Sequence, residues 1–454
     1  MKPLLPLVAV LAAVAGAPAA FANPFETTLA NGLRVIVKED RRAPTVVHMV
    51  WYRAGSMDEK DGTSGVAHAL EHLMFKATKT LRAGEFNKRV AEAGGRDNAF
   101  TSHDYTAYFQ IVPKGALPEM MKLEADRMGN LVLDAKEFAA EIKVVMEERR
   151  LRTDDNPQAL VHETLSSAMY QAHPYRRPVI GWMDDLEHMT VQDTRDWYHQ
   201  WYAPNNAYVV VVGDVDHRDV FRLAQKFYGP RRPHALPERK PQNEPEQAGV
   251  RRVSVKAPAK LPYLAMAWKA PKLRDVRNDR EPYALEVLAS VLDGHDASRF
   301  ARNLVRGSRI AQSAGAGYDA TLRGEASFTI DGQPAEGRSV ADLEAALRAE
   351  IRRIQDEGIS AEELARVKTQ TVAAQTYKRD SLMAQAMEIG GTEAAGYHWR
   401  DIDTLLDKIR SVTAEEVQAV AKKYFKDDTL TIAVLDPQPP EQSKPKRPAG
   451  PVRH

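Results

Sequence analysis

The chain has 454 residues, no cysteine, and 63 basic against 62 acidic side chains. The missing cysteine excludes thiol catalysis, disulfides and cysteine-based metal sites, so His, Asp or Glu must bind any metal. The balanced charge argues against a nucleic-acid partner, which usually requires a basic excess. The length suits three domains of ordinary size or two large ones.

The start of the chain is predicted to be an export signal of 22 residues. Lys2 supplies a positive start, residues 4–15 are apolar, and Ala20-Phe21-Ala22 is a cleavage site of the A-x-A type. The alternative, an uncleaved membrane anchor, is disfavoured by the prolines and Gly16 within the segment. We therefore expect a periplasmic or secreted protein without an integral membrane segment after cleavage.

Two segments follow one pattern and indicate a weak internal repeat. Thr190 and Thr413 each precede an amphipathic helix and have a carboxylate three residues on, which is the capping-box pattern. An apolar strand follows each helix, at 208–212 and at 430–435. Two modules of one plan are expected, joined by a proline-rich linker and followed by a disordered, basic, proline-rich tail. The predicted segments are the signal (1–22), the N-terminal module (23–235), the linker (236–250), the C-terminal module (251–436) and the tail (437–454).

Strands and long helices mix within each module, without regular alternation and without a glycine-rich phosphate loop. This pattern indicates an α+β fold in which helices pack on antiparallel or mixed sheets. The predicted strands are 33–38 and 46–51, which should form a hairpin, and 107–112, 250–257, 261–269 and 326–331. The predicted helices are 64–75, 83–93, 117–131, 134–152, 280–292, 340–356 and 361–377.

The sequence His68-Ala-Leu-Glu71-His72 lies in one of these helices. Residues at i and i+4 lie one turn apart on the same helix face, so the two imidazoles can hold one zinc ion. Glu71 lies at the edge of that face, within reach of water at the metal. The alternative is a surface helix with two solvated histidines, which the apolar neighbours disfavour.

A catalytic zinc ion needs a third protein ligand, and the helix after Asp134 offers several carboxylates. Asp134 and Glu137 look like the capping pair of that helix. Glu141 and Glu148 are seven residues apart and share one face, whereas Glu147 points about 100° away from Glu148 and should be solvated. One of the pair could bind the metal while the other orients a histidine; the spacing does not decide between them.

The order His-x-x-Glu-His resembles the inverzincin peptidases. The surrounding sequence is similar to the pitrilysin/insulinase (M16) family of zinc metallopeptidases, in particular to the two-module bacterial branch related to the mitochondrial processing peptidases. Four segments carry the resemblance, which covers nearly the whole mature chain: 65–78, 95–102, 141–157 and 213–215.

The resemblance implies two homologous modules that form half of a clamshell and hydrolyse peptide bonds with Zn²⁺ as cofactor. By position it implies that His68, His72 and Glu148 bind the metal. Glu141 would support a histidine from behind, and Glu71 would act as general base. A purely structural role is the alternative, disfavoured because all the motif residues are present.

The resemblance also implies a substrate-binding edge strand at 97–102, to which a peptide adds as an extra strand. Asn98 would contact the substrate backbone, Ala99 belongs to the same strand, and Phe100 would line the groove. The alternative is a polar turn after Gly94 and Gly95.

The family usually contributes an Arg and a Tyr, seven residues apart, from the second half of its chamber. Arg306 matches the Arg, but Ser313 stands at the Tyr position, and the nearest Tyr is Tyr318. The resemblance therefore implies that a second two-module chain completes the chamber, as a zinc-less homologue in a heterodimer. The alternative is a homodimer in which Arg306 acts alone or with Tyr318.

Overall fold

Helices pack on two mixed sheets, which confirms the predicted α+β class. The structure is a computed structural model that describes residues 24–439. The predicted signal and residues 440–454 of the predicted tail lie outside the described residues. Between residues 24 and 439, no helix combines the length and apolarity needed to cross a membrane.

The two sheets share one topology. The first contains β1 (Phe25–Thr28), β2 (Arg34–Glu39), β3 (Thr45–Tyr52), β4 (Arg96–Thr101), β5 (Thr106–Pro113) and β6 (Ala207–Gly213). The second contains β7 (Arg251–Pro258), β8 (Tyr263–Ala270), β9 (Ala311–Tyr318), β10 (Ala326–Pro334) and β11 (Leu430–Gln438). The spatial orders are β1-β2-β6-β3-β5-β4 and β7-β11-β8-β10-β9. Without β1 they coincide, and in each sheet the one parallel pair among these strands is at the same place, β2–β6 and β7–β11.

The helices surround these sheets. The helices of the first module are α1 (Val66–Leu73), α2 (Glu85–Glu92), α3 (Leu117–Asn130), α4 (Ala135–Arg149), α5 (Pro157–Met169), α6 (Met183–His188), α7 (Val191–Trp201) and α8 (His217–Phe227). The later ones are α9 (Glu281–Asp293), α10 (Val340–Glu357), α11 (Ala361–Lys378), α12 (Leu382–Ala394), α13 (Ile402–Ser411) and α14 (Ala414–Tyr424). Thr190 and Thr413 cap α7 and α14 with the predicted capping boxes.

Two details of the predicted strands are wrong. The strands β2 and β3 do not form a hairpin, because β6 lies between them, parallel to β2 and antiparallel to β3. The valine-rich β6 is buried along its whole length, so burial places it at the centre of the sheet. At the other end of the chain, Pro437 and Gln438 belong to β11 instead of the tail, opposite Ala257 and Pro258 of β7.

Each module covers the other module's sheet with one helix. On the second sheet, α5 buries Val161 and Leu165 against residues of β8 and β11. On the first sheet, α12 buries Ala386 and Ile389 against β3 and β6. Helix α12 approaches so closely that a Cβ on Gly390 would lie 2.2 Å from the Trp51 ring. Neither sheet is fully covered without the other module, so we expect the two modules to fold together.

A buried histidine at the contact between the modules predicts loss of stability in acid. His173 is 4% exposed, and its Nδ1 accepts a hydrogen bond from the Tyr175 N–H at 3.2 Å. Burial lowers the pKa of His173 to about 4. Because its folded pKa lies below its unfolded value, the unfolded chain binds the proton first, and stability falls as pH drops from about 6.5 towards 4. We expect urea unfolding to show a loss of about 2 kcal/mol from this group between pH 7.5 and pH 5.

The control is His173→Gln, which has no titrating ring in this pH range. Its free energy of unfolding should change with pH by about 2 kcal/mol less than that of the wild type. Equal pH dependence of the two proteins would contradict the assignment to His173.

Candidate metal centre

Helix α1 contains the predicted histidines, and the position of its N-terminus is fixed by Gly65 and Glu59. Gly65 precedes the helix with a φ of +87°, a conformation that side chains rarely adopt. The Glu59 carboxylate accepts the N–H groups of Gly65 and Ala67, each at 2.9 Å. Burial raises the pKa of Glu59 to about 8. Sequence reasoning missed this residue, because it reaches the helix end from a preceding turn. The opposite face of α1 is apolar and buried in the core, which fixes the rotation of the helix.

The ligand atoms of His68, His72 and Glu148 all lie within 4.8 Å of one another. His72 Nε2 is 3.2 Å from Glu148 Oε2, and His68 Nε2 is 3.9 Å from Glu148 Oε1. Helix α4 packs against α1 and brings Glu148 to the histidines. Two imidazoles and one carboxylate are the donor set of several catalytic zinc sites, in which the fourth position stays open. These three side chains therefore fit a zinc ion.

Glu141 lies behind His72, away from Glu148. Its Oε1 is 2.9 Å from His72 Nδ1, and its Oε2 is 2.6 Å from Lys76 Nζ. Burial alone would raise the pKa of Glu141, but the hydrogen bonds to His72 and Lys76 outweigh it and lower that pKa. This arrangement leaves His72 Nε2 directed at Glu148 and at the centre of the donor set. The spacing left open which of the two carboxylates faces the metal. In the structure, Glu148 lies in the donor set and Glu141 lies on the Nδ1 side of His72.

The electrostatics of the two histidines differ. Burial and the neighbouring His72 lower the pKa of His68 to about 4. Burial also opposes the charged form of His72, but Glu141 and Glu148 overcome it and raise its pKa to about 9. Without a metal, the proton on His72 therefore stabilises the two carboxylates. A cation at the donor set would take over this role, because a histidine ligand must be neutral at the coordinating nitrogen.

Glu71 is 8% exposed and does not belong to the donor set. Its Oε2 accepts a hydrogen bond from the hydroxyl of Thr101, the last residue of β4. Burial raises the pKa of Glu71 above its ordinary value, which the Thr101 hydrogen bond only partly offsets. Sequence reasoning gave Thr101 no role, although it lies in the predicted substrate strand.

The other carboxylates of α4 lie apart from this centre. Glu147 is 61% exposed and pairs with Arg150, in agreement with the predicted solvated position. Asp134 caps the helix by accepting the N–H groups of Lys136 and Glu137. A π-helical turn, Arg150–Asp154, follows α4 and carries Arg152, whose guanidinium is 2.5 Å from Glu148 Oε1.

The predicted substrate segment is the edge strand β4, not a polar turn. Because Ser102 N donates to Tyr105 O, alternate residues of the antiparallel ladder, including Ala99 and Thr101, direct their main-chain groups away from β5. The Ala99 N–H is accepted by the exposed Asn98 side chain at 2.8 Å. The Phe100 ring packs edge-on against Trp51, in the cluster that includes α12 residues. It therefore lies on the opposite face of the sheet from the Thr101–Glu71 contact.

Arg306 lies in the second module, in the π-helical segment Phe300–Gly307, and its guanidinium donates to the carbonyl of Asp296. Ser313 lies on the edge strand β9, and the Tyr318 hydroxyl donates to the carbonyl of Pro271. Within residues 24–439 of this one chain, no hydrogen bond or ion pair connects Arg306 to the three candidate ligands.

Among the described residues, a second group also has metal-binding side chains close together: Glu39, Asp216 and His217. Glu39 Oε1 accepts the backbone N–H of His217 at 3.0 Å and lies 2.8 Å from its Nδ1. His217 is the first residue of α8, and its ring stacks on Phe25. These contacts are those of a helix cap, so we assign this group a structural role.

Comparison with known proteins identifies the family of the chain. Residues 34–182 match the family model "Insulinase (Peptidase family M16)", and residues 188–371 match "Peptidase M16 inactive domain". The zinc protease PqqE of Helicobacter pylori is 33% identical over 420 residues, which are 90% of this chain and 92% of PqqE. This chain belongs to peptidase family M16. The zinc protease YmxG of Bacillus subtilis, described as uncharacterized, is another relative. It is 25% identical over 412 residues, which are 90% of this chain and 97% of YmxG.

Solved structures share the M16 fold. The crystal structure of a protease from Helicobacter pylori has a TM-score of 0.87 and 31% identity, and the match covers 91% of this chain and 100% of that chain. The periplasmic protease PqqL from Escherichia coli has a TM-score of 0.78 at 20% identity, a likeness in fold alone. The match covers 95% of this chain but 51% of PqqL, so this M16 chain corresponds to about half of that protein.

The second M16 module contains an altered copy of the metal motif. Helix α9 follows β8 and packs on α11, as α1 follows β3 and packs on α4. Its sequence Tyr283-Ala-Leu-Glu286-Val287 parallels His68-Ala-Leu-Glu71-His72, with both histidines replaced. When α4 and α11 are aligned at their first residues, Ala374 stands in the place of Glu148. The copy keeps one glutamate and lacks counterparts of the three candidate ligands. The repeated Ala-Leu-Glu could have been found in the sequence, but was missed.

Glu141→Gln is expected to weaken zinc binding without abolishing it. An amide carries no charge to balance a cationic site and holds His72 less firmly in the required orientation. Partners of this kind typically contribute about 10- to 100-fold in metal affinity. Competition with a chromophoric chelator measures the change. Unaltered affinity would show that Glu141 does not support His72.

Proposed function

We propose that this chain is a zinc-dependent metalloendopeptidase that hydrolyses peptides or unfolded polypeptides in the cell envelope, as the catalytic subunit of a dimer. The observation that carries the proposal is the buried carboxylate of Glu71 beside the His68, His72 and Glu148 donor set. A structural metal site has no use for such a group. The zinc-protease names of the M16 relatives support the same reading.

The proposed ligands are His68, His72 and Glu148. Zinc, when bound, supplies a Lewis acid that lowers the pKa of water and polarises a scissile carbonyl. Glu71 would take the proton of the attacking water and pass it to the leaving amine. Thr101 occupies Oε2 of Glu71, which leaves Oε1 for the proton. The pKa of Glu71, raised by burial, favours this exchange at neutral pH.

A peptide would bind by adding a strand to β4. The outward main-chain groups of Ala99 and Thr101 offer partners for its backbone, and main-chain pairing accepts many sequences. The Asn98 side chain now holds the Ala99 N–H. It would have to give way and could then bond the substrate backbone. Phe100 would support this strand from the other face of the sheet, where its ring packs against Trp51.

The proposed partner is a second two-module chain. Support comes from the match to about half of PqqL and from the missing Tyr at Ser313. A zinc-less homologue would supply the opposite wall of the chamber; in a homodimer, Arg306 would do so alone or with Tyr318. Sedimentation combined with activity measurement tests this proposal, and a fully active monomer would contradict it.

The proposed location is the periplasm or the exterior, after removal of residues 1–22. Support comes from the predicted signal and from the periplasmic location stated for PqqL. N-terminal sequencing of the mature protein from the cell envelope should begin at Asn23. A retained Met1 would favour an anchored form.

The activity is tested with an unfolded polypeptide, such as casein, and with a folded protein of similar size. We expect internal fragments of the unfolded substrate in mass spectra, and their loss when a chelator is added. Release of terminal residues alone would contradict an endopeptidase. Cleavage that resists the chelator would contradict a metallopeptidase.

A further inference from the structure

The turn between β4 and β5 is bound by the second module. Asp104, in this turn, is 4% exposed. Its Oδ1 accepts the Tyr175 hydroxyl at 2.6 Å, and its Oδ2 accepts the backbone N–H of Arg323 at 3.0 Å. The Arg323 side chain also donates to the backbone carbonyl of Asp104 at 2.8 Å. The contact therefore satisfies both the carboxylate and the backbone of one buried residue.

Arg323 also binds a second turn of the first module, the one that contains Asp58. Its guanidinium forms two hydrogen bonds with the Asp58 carboxylate, at 2.9 and 3.0 Å. The turn that contains Asp58 binds the β4–β5 turn through its own backbone, with Ser56 N donating to Ser102 O and Met57 N to His103 O. A bidentate contact of this kind fixes the orientation of the two side chains as well as their distance.

The anchored turn adjoins the proposed general base. Thr101, which donates to Glu71, is three positions before Asp104 in the chain. Arg323 lies in the loop between β9 and β10. The next residue, Gly324, packs tightly against the first module, since a Cβ on it would lie 2.4 Å from the His173 ring and 2.5 Å from the Tyr175 ring. A shift of this loop would therefore move the β4–β5 turn and the end of β4 with it.

We propose that Arg323 is a positioning residue, through which the second module fixes the Thr101 hydroxyl against Glu71 and holds β4 ready for a peptide. The inference rests on the proposed peptidase function and gives the second module a part in it. That module lacks metal ligands at its own copy of the motif. Through Arg323 it would nevertheless fix the position of the substrate strand β4.

The test compares Arg323→Ala and Arg323→Lys with the wild type. The matched control is Arg299→Ala, because Arg299 also bonds a carboxylate, that of Glu363, and a backbone carbonyl, that of Gly358, but within the second module. Three quantities are measured: amide hydrogen exchange at residues 98–105, bound zinc per chain, and kcat and KM for an unstructured peptide.

For Arg323→Ala we expect exchange in the turn to accelerate at least about tenfold through local opening. We expect kcat/KM to fall by about 100-fold, because a displacement of about 1 Å at a reacting centre has that effect. Zinc per chain should stay unchanged. Lysine keeps the charge but cannot form the bidentate contact, so the exchange rate and kcat/KM of Arg323→Lys should lie between those of Arg323→Ala and the wild type. Arg299→Ala should match the wild type.

Unchanged exchange at residues 98–105 would overturn the inference, as would faster exchange with unchanged kcat/KM. If Arg323→Ala does not fold, Arg323→Lys decides by the same criteria. A wild type that binds zinc but cleaves no peptide would count against the proposed function, and the exchange result would still show whether Arg323 holds the turn.

Discussion

Glu71→Gln is expected to leave one zinc ion bound per chain and to lower kcat by about 10³-fold, within the range usual for loss of a general base. The amide keeps the size of the carboxylate and can still accept the Thr101 hydroxyl, but it cannot take a proton. Because Glu71 is not in the donor set, the metal should remain. Zinc analysis and steady-state hydrolysis of an unstructured peptide check both parts.

Thr101→Val serves as a companion variant. It removes the hydroxyl on Glu71 and keeps the carboxylate, so it should retain zinc and lose less activity than Glu71→Gln. A Glu71→Gln protein that turns over at nearly the wild-type rate would show that another group is the base.

Glu148→Ala is expected to release zinc, with a loss of affinity greater than about 100-fold. Removal of one of three ligands should exceed the effect of an outer partner, which is about 10- to 100-fold. The variant also leaves His72 with a single carboxylate partner, Glu141. Activity should fall with the zinc content, and equilibrium dialysis against buffered zinc measures the affinity.

The neighbouring residue supplies a matched control. Glu147 is on the same helix but 61% exposed, so Glu147→Ala removes an equal charge without touching the donor set. It should bind zinc like the wild type. Full zinc occupancy of Glu148→Ala would contradict the ligand assignment and direct attention to Glu141 or Glu147.

The residues of the candidate metal centre could be grouped from the sequence, because helical spacing places them on shared helix faces. His68 and His72 are one turn apart, and Glu141 and Glu148 share a face, so the 3.6-residue period alone brings each pair together. The spacing could not tell which carboxylate faces the metal. That choice depends on how α4 packs against α1, which places Glu148 near His72 Nε2 and Glu141 near its Nδ1.

Contacts from distant parts of the chain could not be predicted in this way. Thr101 contacts Glu71, and Arg323 contacts Asp104, only because the tertiary fold brings these residues together.

Two elements could not be predicted because their sequences lack a clear pattern. Strand β9 and helix α12 are rich in Ala and Gly, so neither has a strong periodic apolar pattern. The β2–β3 hairpin was a false prediction because a chain that leaves β2 can return beside it much later, as β6 does.

A zinc titration of the metal-free wild type, with peptide hydrolysis followed at each step, shows whether the activity depends on one bound zinc ion. We expect no turnover without zinc and a linear rise that ends at one zinc ion per chain. Turnover by the zinc-free protein, or a zinc-loaded protein that leaves every unstructured peptide intact, would contradict the proposed zinc peptidase.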